Sequence, residues 1–171
     1  KKKNLRLIDA TNYSFKEIMR FMFLNEELLV QTEDLKKFSN KDFKIVSKKK
    51  PTSKQMKSLI FSFNICRYVK SNAIVLATNE TTVGIGSGQP SRLDSCQIAI
   101  DKMNKFTHTK EEVVAASDAF FPFIDGIEKL IQSGVTAVVQ PSGSIRDREI
   151  INFANETDTV LVFSKTRHFR H

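Results

Sequence analysis

The sequence predicts an α/β domain whose carboxyl half is a β-α-β-α-β run, the signature of a mostly parallel sheet covered on both faces. Three observations predict it. Apolar runs at 113–117, 135–140 and 159–163 have strand length and are rich in Val and Ala. Helical patterns separate them, one from about Phe123 to Ser133 and one from Ser144. Gly134 stands between helix and strand, where a helix stop belongs.

The amino half reads in order as follows. Residues 4–8 alternate like a strand, and Arg20–Leu24 and Leu28–Gln31 flank Asn25-Glu26-Glu27 as a hairpin-like pair, although that turn lacks the usual glycine. Phe43–Val46 is a short strand. Thr52 with Gln55 three residues on forms a capping-box pattern, and Met56, Leu59, Ile60, Phe63 and Cys66 then recur at helical spacing through Val69. Those side chains read as core packing. Ser71-Asn72 opens a strand over 73–77, Asn79-Glu80 turns the chain into a strand over 82–86, and a helix runs from about Pro90 to Phe106. No internal repeat or low-complexity linker interrupts the chain.

Composition bounds the function. With 171 residues, 40% of them hydrophobic, the chain suffices for one domain with a core, burying roughly 70% of its unfolded surface. The formal net charge of +8 is concentrated in Lys1–Lys3, Lys36-Lys37 and Lys48–Lys50. Such runs read either as a solvated face or as attraction for polyanions, nucleic acid or small phosphorylated and polycarboxylate ligands. Nucleic acid is the weaker partner: there is no zinc-finger spacing, no basic heptad helix and no aromatic-interleaved strand. Cys66 and Cys96 lie in predicted helices without a Cys-x-x-Cys pair, so neither disulfide framework nor structural zinc is predicted, and a reducing, cytoplasmic setting is the default. No apolar run approaches the ~20 residues that span a bilayer, so no membrane partner is expected. Lys1 is not a start methionine, and the chain reads as a piece of a longer one.

Three blocks past predicted strands carry the chemistry: Ser117–Phe123, Gln140–Asp147 and Arg167–His171. In an open α/β sheet the ligand crevice lies just beyond the carboxyl ends of the strands, and these blocks in register predict a site for an anionic, partly aromatic ligand. Phe120, Phe121 and Phe123 beside Asp125 read either as a ring slot with an acceptor for ring N–H groups or as a proline-stiffened loop with its rings tucked under the sheet. Pro141–Ser144 before a helix reads as an anion site, as a cap with Asp147 three residues beyond Ser144, or as both. Gly84-Ile85-Gly86-Ser87-Gly88 fails the dinucleotide fingerprint because Gln89 stands where the third glycine belongs. These glycines instead suit close approach to a ligand. Arg92, in the first turn of the following helix, is either a forked donor for a phosphate or carboxylate or an ordinary surface arginine. His108, His168 and His171 have no acidic partners at metal-ligand spacing, and no nucleophile elbow or P-loop is present. His171 is the nearest candidate for a resident base.

Five motifs together resemble one family. Lys70–Ile74, Thr82–Arg92, Ser117–Phe123, Pro141–Ser144 and Arg167–His171 are similar, in the same order, to the carboxyl-terminal part of the bifunctional purine-biosynthesis proteins. Those proteins join AICAR (aminoimidazole carboxamide ribonucleotide) formyltransferase to IMP cyclohydrolase. The resemblance runs from Lys1 to the last residue and implies a cytidine-deaminase-like layered α/β/α fold, residues 1–171 being the second of two copies, without the zinc and without the cyclohydrolase domain. It implies transfer of a formyl group from 10-formyltetrahydrofolate to the 5-amino group of AICAR, with no metal, in a homodimer whose sites are shared across the interface.

Site residues follow from the resemblance. Asn72, Arg92, Phe120 and Arg167 match AICAR contacts. Leu93, Asp125 and the Ser144-Ile145 pair match folate contacts, and His171 matches a terminal histidine that supports the catalytic centre. An aromatic amine is a weak nucleophile, so the chemistry needs positioning and a base near neutrality. In the family that base is the histidine of an upstream Lys-His pair, a dipeptide absent from this chain. The alternative is therefore a catalytically silent nucleotide- or folate-binding or assembly module. Two departures stand out. Glu26-Glu27 replace glycines that relatives place before Leu-Leu-Val-Gln, and Ile124 replaces an arginine, lowering the positive charge expected near the folate.

Overall fold

The computed structural model describes residues 6, 8, 9, 11, 12, 19–106 and 111–170. The strand expected at 4–8, His108 and His171 lie outside the described residues. Two compact units divide the chain, Lys1–Leu35 and Lys36–His171.

The first unit holds an antiparallel hairpin of β1 (Met19–Leu24) and β2 (Glu27–Thr32), with Leu24 opposite Glu27. Asn25 takes the glycine's place in the tight turn with φ of 54°. Asparagine tolerates that left-handed conformation better than most residues, so the hairpin forms despite Glu26-Glu27.

The second unit is a six-stranded sheet in the order β3-β8-β7-β6-β4-β5. In chain order its elements are β3 (Phe43–Ile45), α1 (Ser53–Cys66), β4 (Ile74–Thr78), β5 (Thr81–Gly86), α2 (Arg92–Phe106), β6 (Val113–Ser117), α3 (Ile124–Gln132), β7 (Val135–Pro141), α4 (Asp147–Glu156) and β8 (Val160–Ser164). β6, β7 and β8 are parallel neighbours, while β4 is antiparallel to both β6 and β5. β5 therefore runs with β6–β8, and four of six strands share one direction. The β-α-β-α-β half expected from the sequence is β6-α3-β7-α4-β8.

Strand alternation sorts the core into two layers. Ile74, Leu76, Ala115, Val138 and Leu161 face α2, α3 and α4, where Ile100, Ile127, Leu130 and Ile150 meet them. Val75, Ala77, Val114, Val139 and Val162 face Leu59, Phe63 and Cys66 of α1. The result is an α/β/α sandwich whose central strands are buried on both sides, hence their continuous apolar sequence. Thr52 caps α1 as expected, its hydroxyl accepting from Gln55 N while the Gln55 side chain accepts from Thr52 N. The helix stops at Cys66 rather than continuing to Val69, and the next residues turn towards β4.

Gly84 and Gly86 correct an expectation. They do not clear space for a ligand. A Cβ at Gly86 would lie 1.8 Å from the Ser95 carbonyl oxygen and one at Gly84 2.1 Å from that of Ala99, because α2 lies directly on the β5 backbone. Neither obstacle is a side chain that can swing away. Gly86→Ala must lift α2 from the sheet, and we expect a loss of about 3 kcal/mol or more, read as a lowered urea midpoint; a loss below about 1 kcal/mol would contradict this packing.

Both cysteines are buried thiols. Burial pushes Cys66 well above the ordinary range and Cys96 up to about 12. They should resist alkylation at pH 8 in the native protein and react in urea. Because the folded thiols ionise later than the unfolded ones, their contribution is complete below about pH 9 and lost as pH rises towards 12. Stability should therefore fall with pH across that window.

Candidate functional site

Direction in the sheet decides where the site lies. The carboxyl ends of β5, β6, β7 and β8 share one edge, and the antiparallel β4 starts there. Ser71-Asn72, Ser87–Arg92, the Asp118–Phe123 loop, the Ser142–Arg146 turn and the Lys165–Arg170 tail consequently converge on that edge. The tail is sewn in place: Ser71 N donates to Arg170 O at 2.9 Å, and His168 N donates to Asp118 O at 2.9 Å.

A cavity of about 520 Å³ opens there, and Asn72, Arg92, Leu93, Phe120, Asp125 and Arg167 line it together. Ser144 and Ile145 are not in its wall, but their turn is held against it. Arg146 lies 4.7 Å over the Phe123 ring, and Gly143, with φ of 109°, sits where an added Cβ would come within 3.3 Å of the Arg167 guanidinium. Ile145 is fully exposed.

The two arginines differ in kind. Arg92 is held by a buried network: Nη1 donates to Asp118 Oδ1 at 2.5 Å and to Ser117 Oγ at 2.8 Å, and Nη2 donates to Asn72 Oδ1 at 2.8 Å. Its side chain is 10% exposed and that of Asp118 only 1%. Ser71 Oγ donates to the other Asp118 oxygen at 2.6 Å, and the Asn72 amide donates to the carbonyls of Gln89 and Pro90. The surface-arginine alternative for Arg92 is thereby excluded. Arg167, in contrast, stacks 4.5 Å over the Phe120 ring and has no carboxylate partner among the described residues. It is the uncompensated cation of the cavity.

The aromatic block divides between its two readings. Phe121 is buried in the core and forms the back of the cavity, whereas Phe120 and Phe123 line it with a guanidinium on each ring. Asp125 sits in the first turn of α3 and accepts from Gly126 N at 2.7 Å. Beside Ile124, where the resemblance leads one to expect an arginine, Arg146 supplies a cation on the Phe123 ring. The Pro141–Ser144 turn is not an open anion site, because Asp147 already accepts from Gly143 N at 2.8 Å and Ser144 N at 3.2 Å. An internal carboxylate fills it, and α4 starts at Asp147 rather than Ser144. His168 is a core residue, 1% exposed and packed 4.6 Å from Phe63 and 5.1 Å from Phe38.

Asp118, Ser117 and Arg146 escape assignment from sequence alone. An acid directly after an apolar strand was the visible signal for Asp118, but its partner lies 26 residues away.

A family model described as AICARFT/IMPCHase bienzyme matches residues 1–102. The chain belongs to that bienzyme family. The bifunctional purine biosynthesis protein PurH of Persephonella marina (strain DSM 14350 / EX-H1) is 42% identical over 172 residues, covering all of this chain and 33% of the relative. The chain thus spans about a third of the length of the curated relative it matches. Of the family motifs read in the sequence, Thr82–Arg92 and Lys70–Ile74 fall inside the matched segment, and the bienzyme relative's alignment extends over the rest. No helix among the described residues is long and apolar enough to cross a membrane.

Proposed function

We propose that this chain is the second cytidine-deaminase-like copy of an AICAR formyltransferase and supplies nucleotide and folate contacts for transfer of the formyl group of 10-formyltetrahydrofolate to the 5-amino group of AICAR. One observation carries the reading: six residues that the family resemblance assigns to the two substrates, drawn from positions 72 to 167, line a single cavity. In this reading Arg167 and Arg92 bind the nucleotide anion, Phe120 stacks beside its base, and Asn72 addresses the carboxamide region. Leu93, Asp125 and the Ser144-Ile145 turn bound the folate.

The chemistry fits these residue types. Formyl transfer to a weakly nucleophilic amine gains chiefly from holding both reactants in line. Arg92, locked by Asp118, is pre-organised and loses little freedom when it binds. Arg167 keeps its charge available, and its stacking on Phe120 fixes the fork without neutralising it. The proton acceptor is then the upstream Lys-His histidine, His171 supports the centre, and a homodimer in the cytoplasm completes the sites. No metal takes part in the proposed step.

Binding tests this reading without turnover. Isothermal titration of AICAR into the full-length protein should give one site per chain, weakened in Asn72→Ala. Unchanged affinity in both Asn72→Ala and Arg167→Ala would remove the assignment.

A further inference from the structure

Near the carboxyl end of β7, Gln140 places an amide in a layer that is otherwise apolar. By strand alternation it follows Val138 onto the face covered by α2, α3 and α4, and it is completely buried. Its Oε1 accepts from Phe121 N at 3.4 Å, whereas its Nε2 is buried with no hydrogen-bond partner among the described residues. A buried amide with an unpaired N–H is destabilising, and an apolar side chain of the same shape would be neutral or better. Stability is therefore not what this glutamine contributes. It contributes an acceptor beneath one N–H of the Asp118–Phe123 loop.

Phe121 is held from two sides. Its N–H meets Gln140, and its ring fills the space that Gly126 of α3 leaves, where a Cβ would lie 2.7 and 2.8 Å from two of the ring carbons. Earlier in the loop, Asp118 O accepts from His168 N and Ala119 O accepts from Ser117 Oγ. Phe120, the chain neighbour of Phe121, stands in the cavity wall with Arg167 over its ring. Gln140 is not in that wall, so it can act on a ligand only through Phe121.

We propose that Gln140 is a positioning residue for the nucleotide: through Phe121 it sets the height of the Phe120 ring against the base. The inference rests on the formyltransferase reading, which places the base beside Phe120. Stacking depends on ring separation, so a loop that slides by a fraction of an ångström loses contact with the base while the arginines still reach the phosphate. Stability and affinity then respond to Gln140 in opposite directions, which a purely structural role would not produce.

The test titrates AICAR and ribose 5-phosphate, which lacks the base, into the full-length protein and its Gln140→Met and Gln140→Glu variants, with a urea midpoint for each. Gln140→Met keeps the shape and removes both the acceptor and the unpaired N–H. Its midpoint should stay or rise, its AICAR affinity should fall roughly two- to tenfold, and its ribose 5-phosphate affinity should not change. Gln140→Glu keeps an oxygen beneath Phe121 N and should bind AICAR as the wild type does, although burying a carboxyl group lowers its midpoint. A destabilised Gln140→Met, an unchanged AICAR affinity in it, or an equal fall for ribose 5-phosphate would overturn the proposal. So would a folded Gln140→Glu that loses as much AICAR affinity as Gln140→Met; if Gln140→Glu does not fold, the Met variant decides alone. A wild type that binds AICAR no more tightly than ribose 5-phosphate would instead remove the placement of the base on which the proposal depends.

Discussion

Asp118→Ala should destabilise the protein by about 3–5 kcal/mol, because it strands a guanidinium that is almost fully out of water. Asp118 is the only carboxylate paired with Arg92 among the described residues, and it also takes the Ser71 hydroxyl. Removing it leaves the charge of Arg92 with two neutral acceptors, Ser117 and Asn72. It also unfastens the start of β4, since Ser71 in turn holds Arg170 of the tail. A second variant separates stability from function. Replacing both partners with apolar residues, as in Asp118→Leu/Arg92→Met, avoids the stranded charge and should recover much of the lost stability. It should not recover AICAR binding, which on this account needs the Arg92 fork. Urea unfolding and AICAR titration of both variants give the two readouts. A double variant as unstable as Asp118→Ala would mean that the buried pair is not the source of the loss.

Arg167→Ala should have the opposite profile: little change in stability and a large loss of nucleotide affinity. Arg167 is exposed and unpaired among the described residues, so its removal leaves no buried group unsatisfied. A charge-assisted contact to a phosphate is worth about 1.5–3 kcal/mol, and AICAR affinity should fall roughly 10- to 150-fold. Arg167→Lys should fall between, keeping the charge but losing the planar stacking on Phe120. Titration of AICAR into each variant reads the order. If Arg167→Ala bound AICAR as tightly as the wild type, the nucleotide would not lie against this part of the tail.

The parts of the fold legible from sequence are those whose physics is local or periodic. β4, β6, β7 and β8 are buried on both faces and show as apolar runs. The Thr52–Gln55 box announces α1 at the residue where it starts. What sequence did not show depends on partners distant along the chain. Gly84 and Gly86 look like ligand-approach glycines until α2 is seen lying on them. Asp118 belongs to a visible motif, yet only the fold brings Arg92 to it. His168 lies in an irregular tail without periodicity, so nothing local marks it as a core residue against Phe38 and Phe63. The start of α4 differs for a subtler reason: Asp147, its first residue, turns its carboxylate back onto Gly143 N and Ser144 N, so the helix begins after Arg146 and not at Ser144. The place of the candidate site was legible as a set of strand-end blocks, because parallel strands must bring their carboxyl ends to one edge.

The measurement that tests the central claim most directly is tetrahydrofolate release from AICAR and 10-formyltetrahydrofolate. It should be run on this chain, on the longer reading frame that encodes it, and on that frame carrying Arg167→Ala. The account predicts release by the longer frame, a strong loss with Arg167→Ala despite unchanged folding, and none from this chain, which lacks the Lys-His pair. Release by this chain alone would contradict an upstream base and place proton transfer on a resident group. No release by a demonstrably folded longer frame would contradict the formyltransferase reading and leave a binding module.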